Sequence, residues 1–172
     1  MSCQYCIAHH GPVVHHLKSG KQMSWNPKGP IIVIFAPAVR SGRGASEDRV
    51  ENWGEGGLTA RLFVGLSVGQ QPTYNINDIV TETRNFRLAR KQPADASFIA
   101  QKGIYTNAAT GSQVTENSVQ IIIFAAPGVT MPQLREQMEE LGKHLRRKFD
   151  QDQVIIELQD RGVVQQVFAV ER

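Results

Sequence analysis

The sequence predicts an α+β fold in which two helices lie on one face of a sheet. Three observations carry that expectation. Residues 58–66 alternate, with Leu58, Ala60, Leu62, Val64 and Leu66 set against more polar neighbours, as a half-buried strand does. Leu134, Met138, Leu141, Leu145 and Phe149 recur at spacings of four, three, four and four, which draws one continuous stripe on a helix. The two periodicities then follow one another along the chain in the order β-α-β-β-α-β, with a further strand at the end.

Each element has its own signals. After the strand at 58–66, residues 72–77 form a turn in which Asn75 or Asn77 caps a helix running to about Lys91. That helix places Ile76, Ile79, Val80, Thr83 and Phe86 on one face, and Pro93 closes it. Residues 97–105 read as a second strand and 114–126 as a third, joined by a turn centred on Gly111. Thr130 is a good N-cap for the second helix, with Pro132 in the first turn and Gln133 completing a capping-box pattern. Lys143, Arg146, Arg147 and Lys148 crowd its C-terminal end, where the helix dipole favours cations. Residues 154–158 form a fourth strand, Arg161 and Gly162 turn the chain, and 163–170 add a fifth. This is the split β-α-β, ferredoxin-like arrangement. The centre of the third strand, 121–124, is apolar on both sides, so subunits are expected to pack sheet against sheet.

The first 57 residues read differently. They hold Pro12, Pro27, Pro30 and Pro37 and eight glycines between Gly11 and Gly57, with one short strand at 31–35. Residues 40–57 have the composition of a linker. The expected division is therefore 1–57, a largely irregular N-terminal extension and linker, and 58–172, the folded domain. The 172-residue length suits a single domain.

Composition excludes several classes. With 41% apolar and 20% charged residues the chain can bury a core. The longest apolar runs are far too short to span a membrane, and the first residues do not form a signal peptide, so a soluble, cytoplasmic location is expected. The net charge of +3 and pI near 9.0 arise largely outside the folded part, because residues 58–172 carry 13 basic and 12 acidic side chains. Nucleic-acid binding is accordingly not expected. A third strand that offers only Phe124 for base stacking argues against an RNA reader as well.

Among the motifs, Cys3, Cys6, His9, His10, His15 and His16 are the most conspicuous. The C-x2-C-x2-H spacing resembles zinc-ligand spacing. Few apolar residues surround it, and a disordered leader is the favoured reading over a structural or catalytic metal site, with Met23 just after it a candidate for the native start. No phosphate loop and no nucleophile elbow is present. His144 falls on the polar side of the second helix and is expected in solvent. Tyr105, Glu116 and Asp152 remain, each near a strand end. Tyr105 and Glu116 flank the Gly111 turn symmetrically and face each other if the hairpin is in register.

The succession Lys102-Gly103-Ile104-Tyr105, then Glu116-Asn117-Ser118-Val119, then Phe149-Asp150-Gln151-Asp152-Gln153-Val154-Ile155 resembles the phage-encoded S-adenosylmethionine lyases, historically called hydrolases. The likeness runs from about residue 60 to 171. It implies a ferredoxin-like homotrimer resembling the PII signalling proteins, with sites between subunits and no metal or other cofactor. The implied reaction is intramolecular: the carboxylate of S-adenosylmethionine displaces methylthioadenosine and leaves homoserine lactone. The implied biological use is anti-restriction in an infected bacterial host. By position, Tyr105 lies near the methionyl part of the substrate, Glu116 near its ammonium or sulfonium, and Asp152 accepts from ribose hydroxyls. Backbone groups of Leu66, Ser67 and Val68 line the adenosine pocket. A non-catalytic PII-like trimer that binds an adenine nucleotide is the alternative.

Overall fold

The computed structural model describes residues 13–16, 22–34, 57–68, 71–90, 98–109, 112–126 and 128–172. In chain order the elements are β1 (Val13–His16), β2 (Gln22–Ile34), β3 (Leu58–Gly65), β4 (Ser67–Val68), β5 (Gln71–Pro72), α1 (Ile76–Ala89), β6 (Phe98–Ala109), β7 (Ser112–Phe124), α2 (Met131–Lys148), β8 (Gln153–Asp160) and β9 (Val163–Glu171). Seven strands pair antiparallel in the order β1-β2-β6-β7-β3-β8-β9, and β4 with β5 makes a separate ribbon. Each helix connects two strands that are not neighbours. α1 carries the chain from β3 past β7 to β6, and α2 carries it from β7 past β3 to β8.

Local chemistry sets the helix boundaries. Asn75 Oδ1 accepts from the N–H groups of Asn77 (2.8 Å) and Asp78 (3.2 Å), and Asp78 accepts in return from the Asn75 N–H (2.8 Å). Gln133 Oε1 accepts from the Thr130 N–H at 2.9 Å at the start of α2. The expected stripe Leu134, Met138, Leu141, Leu145 and Phe149 is buried throughout, against Leu62, Val64, Ile121, Ile123, Val154 and Ile156. His144, expected in solvent, instead meets Glu82 Oε1 through Nε2 at 2.6 Å and stacks on Phe86, because α1 packs alongside that face of α2.

Within the segment 1–57, expected to be largely irregular, β2 is a strand of 13 residues rather than the short one at 31–35. It pairs with β6 along both its halves. Pro27, Gly29 and Pro30 hide it from a periodicity reading. The register shifts between Pro27 and Ile31, and Gly29 takes φ +81°, so the prolines sit at an irregularity where ladder hydrogen bonds are already broken. Trp25 of β2 is completely buried. Trp25→Ala is expected to cost about 3–5 kcal/mol of unfolding free energy, measured in urea. The Cys3-to-His10 cluster, residues 40–56 of the linker and the Gly111 turn lie outside the described residues, while His15 and His16 fall in β1.

The face of the sheet away from α1 and α2 is more polar than the apolar run 121–124 implies. Ile121 and Ile123 point to the helices, and Ile122 points away. Around it lie buried Thr59, Arg61, Gln120, Glu157 and Gln159. Arg61 pairs with Glu157 at 3.5 Å, Gln159 donates to Glu157, and Thr59 donates to Gln159 at 3.2 Å.

Candidate functional site

Two lateral rows of residues cross this second face. In the first, Trp25, Tyr105 and Glu116 are successive partners on β2, β6 and β7. Tyr105 and Glu116 are thus in register across the β6–β7 hairpin, as their symmetric spacing about the turn predicts. In the second, Pro27, Gly103, Ser118 and Gly65 are partners across β2, β6, β7 and β3. The two glycines flank Ser118 and leave a hollow on either side of it.

The indole of Trp25 fills the hollow over Gly103, where a Cβ would collide with the ring. Its Nε1–H donates to Ser118 Oγ at 3.0 Å. Phe63 meets Trp25 edge-on at 5.7 Å and lies 5.7 Å from Tyr105. These rings and Ile155 form an apolar wall around the tyrosine.

Carbonyl and carboxylate oxygens fill the second hollow. A Cβ on Gly65 would collide with Glu116 Oε1 and Gln151 Oε1. Gln151 is held there by the way α2 ends. Asp150 takes φ +46°, and the Gln151 N–H reaches back to the Arg146 carbonyl at 2.9 Å, which is a Schellman closure with aspartate in the left-handed position. Asp150 also pairs with Arg172. The Gln151 side chain then donates through Nε2 to the carbonyls of Phe149 (2.8 Å) and Ser67 (3.0 Å). Asp152 follows and is exposed.

The electrostatics follow from this crowding. Burial, then the nearby carboxylate of Asp152, raises the pKa of Glu116 above the ordinary carboxylate value. Burial, then the charges of Glu157 and Glu116, raises that of Tyr105, so its hydroxyl keeps its proton and can donate. Tyr105, Glu116 and Asp152, each singled out from the sequence, therefore belong to one locality.

The segment Leu66-Ser67-Val68 is close by, but much of its backbone is engaged within the chain. The Leu66 N–H donates to the Asn117 carbonyl at 2.8 Å, and its own carbonyl accepts from Thr73 and Tyr74, both at 3.0 Å. Ser67 and Val68 pair with Pro72 and Gln71. Sequence reasoning missed Trp25, Gly65 and Gln151 as parts of the site. The available signal was a glycine inside each of two strand patterns, which marks close approach of another group. A cavity of about 400 Å³ lined by Tyr74, Asp78, Thr81, Glu82, Lys148 and Phe149 opens elsewhere and contains none of the predicted site residues. Among the described residues no three His, Cys, Asp or Glu side chains gather as a metal site, and no helix is long and apolar enough to cross a membrane.

No protein-family profile and no curated protein matches the chain. Two solved structures do. One is a phage SAM lyase in the apo state, 43% identical, with a TM-score of 0.59, covering 74% of this chain and 97% of the other. The second is a phage SAM lyase in complex with S-methyl-5′-thioadenosine, 46% identical, with a TM-score of 0.61, covering 73% of this chain and 97% of the other. At that identity over nearly the whole of both relatives, the chain belongs to the phage S-adenosylmethionine lyase family.

Proposed function

We propose that this chain cleaves S-adenosylmethionine by intramolecular displacement. One carboxylate oxygen forms a bond to the γ-carbon. The bond from that carbon to sulfur breaks, and its electron pair returns to sulfur. The products are neutral methylthioadenosine and homoserine lactone. No proton has to move in the displacement, and the nucleophile arrives already ionised. The site has then to fold the methionyl chain into an attack geometry and strip water from the carboxylate. The observation that carries this reading is the cluster of Glu116, Gln151 and Asp152 beside the aromatic wall of Tyr105, in a chain 46% identical to a lyase holding methylthioadenosine.

In this reading Glu116 faces the cationic part of the substrate and the protonated Tyr105 hydroxyl positions its methionyl part. Asp152 accepts from the ribose, with Ser67 and Val68 beside it. Asp152→Asn is expected to raise KM by about tenfold or less with kcat nearly kept, since a charged acceptor binds a hydroxyl about twice as strongly as a neutral one. We further propose a ferredoxin-like homotrimer with sites between subunits. The β8-β3-β7-β6 order supports that fold. A monomeric mass by light scattering at micromolar concentration would contradict the assembly. The biological role that goes with the activity is anti-restriction by depletion of S-adenosylmethionine in the host cytoplasm.

The deciding experiment is incubation of the protein with S-adenosylmethionine and chromatography for methylthioadenosine. Product formation supports the lyase reading. Binding of methylthioadenosine without turnover would replace it with a non-catalytic nucleotide-binding role.

A further inference from the structure

We propose that the side-chain carbonyl of Gln151, together with the Glu116 carboxylate, receives the α-ammonium group of the substrate above Gly65. The inference rests on the lyase reading and names the residue that selects for the amino-acid end of the ligand.

The orientation of Gln151 is fixed by its own hydrogen bonds. Two backbone carbonyls, Phe149 and Ser67, take the Nε2 hydrogens, so Oε1 has to face the other way. It faces the place over Gly65 that Glu116 Oε1 also occupies. An amide carbonyl and a carboxylate thus converge, with the Asp152 charge close enough to act on Glu116. All are acceptors. Among the described residues no basic side chain forms an ion pair with Glu116 or Asp152.

Such a place calls for a compact cation with several hydrogens to donate. S-adenosylmethionine offers two cationic groups. The sulfonium has no N–H or O–H and satisfies no acceptor. The ammonium has three hydrogens at one atom and satisfies two converging oxygens at once. Ribose hydroxyls donate one hydrogen each and carry no charge. Gln151 is buried, its backbone is locked by the helix ending, and its side chain is anchored at two points. It presents its oxygen without having to be ordered on binding, which lowers the entropic cost of using it.

The test compares ligands that differ at the amine. Methylthioadenosine lacks the amino-acid end altogether. S-adenosylhomocysteine carries the ammonium and no sulfonium, and it has a desamino analogue. In wild type, S-adenosylhomocysteine should bind about 10- to 100-fold more tightly than the desamino analogue by calorimetry, the range for a hydrogen bond to a charged group. Equal affinities overturn the proposal without any variant. Gln151→Met, which keeps length and packing, should lose about tenfold for S-adenosylhomocysteine while methylthioadenosine affinity stays within about twofold. Parallel loss of both ligands shows a merely structural role and overturns the proposal, as does no loss of either. Should Gln151→Met not fold, the Gln151→Asn variant, with its shorter reach, is read by the same two affinities. Wild type that binds no methylthioadenosine and forms none defeats the lyase reading itself, a result distinct from all of these.

Discussion

Glu116→Gln is expected to lower turnover by about 10²-fold or more and, at neutral pH, to raise the melting temperature of the free protein. Both effects come from one feature. The carboxylate is partly buried, stands beside the oxygen of Gln151 and feels the charge of Asp152, so its ionised form is disfavoured in the empty site. A cationic substrate relieves that situation, and the relief is available for binding and orientation. Glutamine has nearly the same shape, carries no charge and brings an N–H₂ group that can donate to Gln151 Oε1. It settles the empty site and removes what the substrate would have met. The pH dependence follows from the raised pKa. Over the interval between the ordinary carboxylate value and the raised one, the folded protein holds a proton that the unfolded chain has lost. Stability contributed by this group is therefore fully present below that interval and falls as pH rises through it. The melting-temperature advantage of Glu116→Gln should be large above the interval and vanish below it. The kcat/KM of the wild type should fall as pH drops through the raised pKa of the free protein, earlier than an ordinary carboxylate would cause, while kcat holds to lower pH because the bound cation favours the ionised form. Glu139→Gln, half-buried on α2 and ion-paired with Arg135 and Lys143 away from the candidate site, serves as the control for turnover, where no change is expected. Unchanged turnover in Glu116→Gln would rule out the electrostatic role assigned to this carboxylate.

Why the lower half of the chain was legible, and the upper half was not, comes down to how each part buries its apolar groups. β3, α2 and β8 put every apolar side chain of their stripe into one core, so period alone reveals them. The Thr130 and Asn75 caps are local chemistry and read equally well. β2 is different. Pro27, Gly29 and Pro30 break its alternation in the middle, and the residue that ties it down, Trp25, is a single large side chain rather than a pattern. The polar groups on the second face of the sheet are hidden from the sequence for a related reason. Period-2 alternation says which residues share a face, yet not whether polar groups there are paired with each other, as Arg61, Glu157 and Gln159 are. In the candidate site, the pairing of Tyr105 with Glu116 is legible because the two flank the hairpin turn symmetrically. The place of Gln151 is not, because it depends on a helix ending that turns through Asp150 in a left-handed conformation, and a glycine is the usual sequence mark of that turn.

Gly65→Ala should remove most of the activity, on the order of 10²-fold in kcat/KM, with a smaller fall in melting temperature than Gly103→Ala shows. Gly65 does not adopt a left-handed backbone, so alanine meets no conformational penalty there, and loss of chain freedom in the unfolded state slightly favours it. What the new methyl group meets are the ends of two side chains, Glu116 Oε1 and Gln151 Oε1. Glu116 swings aside, and Gln151 Oε1 has to give way as well, at the cost of one of the two hydrogen bonds that its amide donates. Both oxygens leave the hollow and the strand pairing stays as it was. Gly103→Ala supplies the contrast. There the obstacle is the rigid indole of Trp25, completely buried and tied to Ser118, with no direction in which to yield. That variant should lose stability first, and activity only as a consequence. Thermal melts and initial rates on the two variants therefore separate the hollows. Gly65→Ala with wild-type kcat/KM would mean that the oxygens over Gly65 do not take part in holding the substrate. Gly103→Ala with a wild-type melting temperature would mean that Trp25 is not the plug that this face relies on.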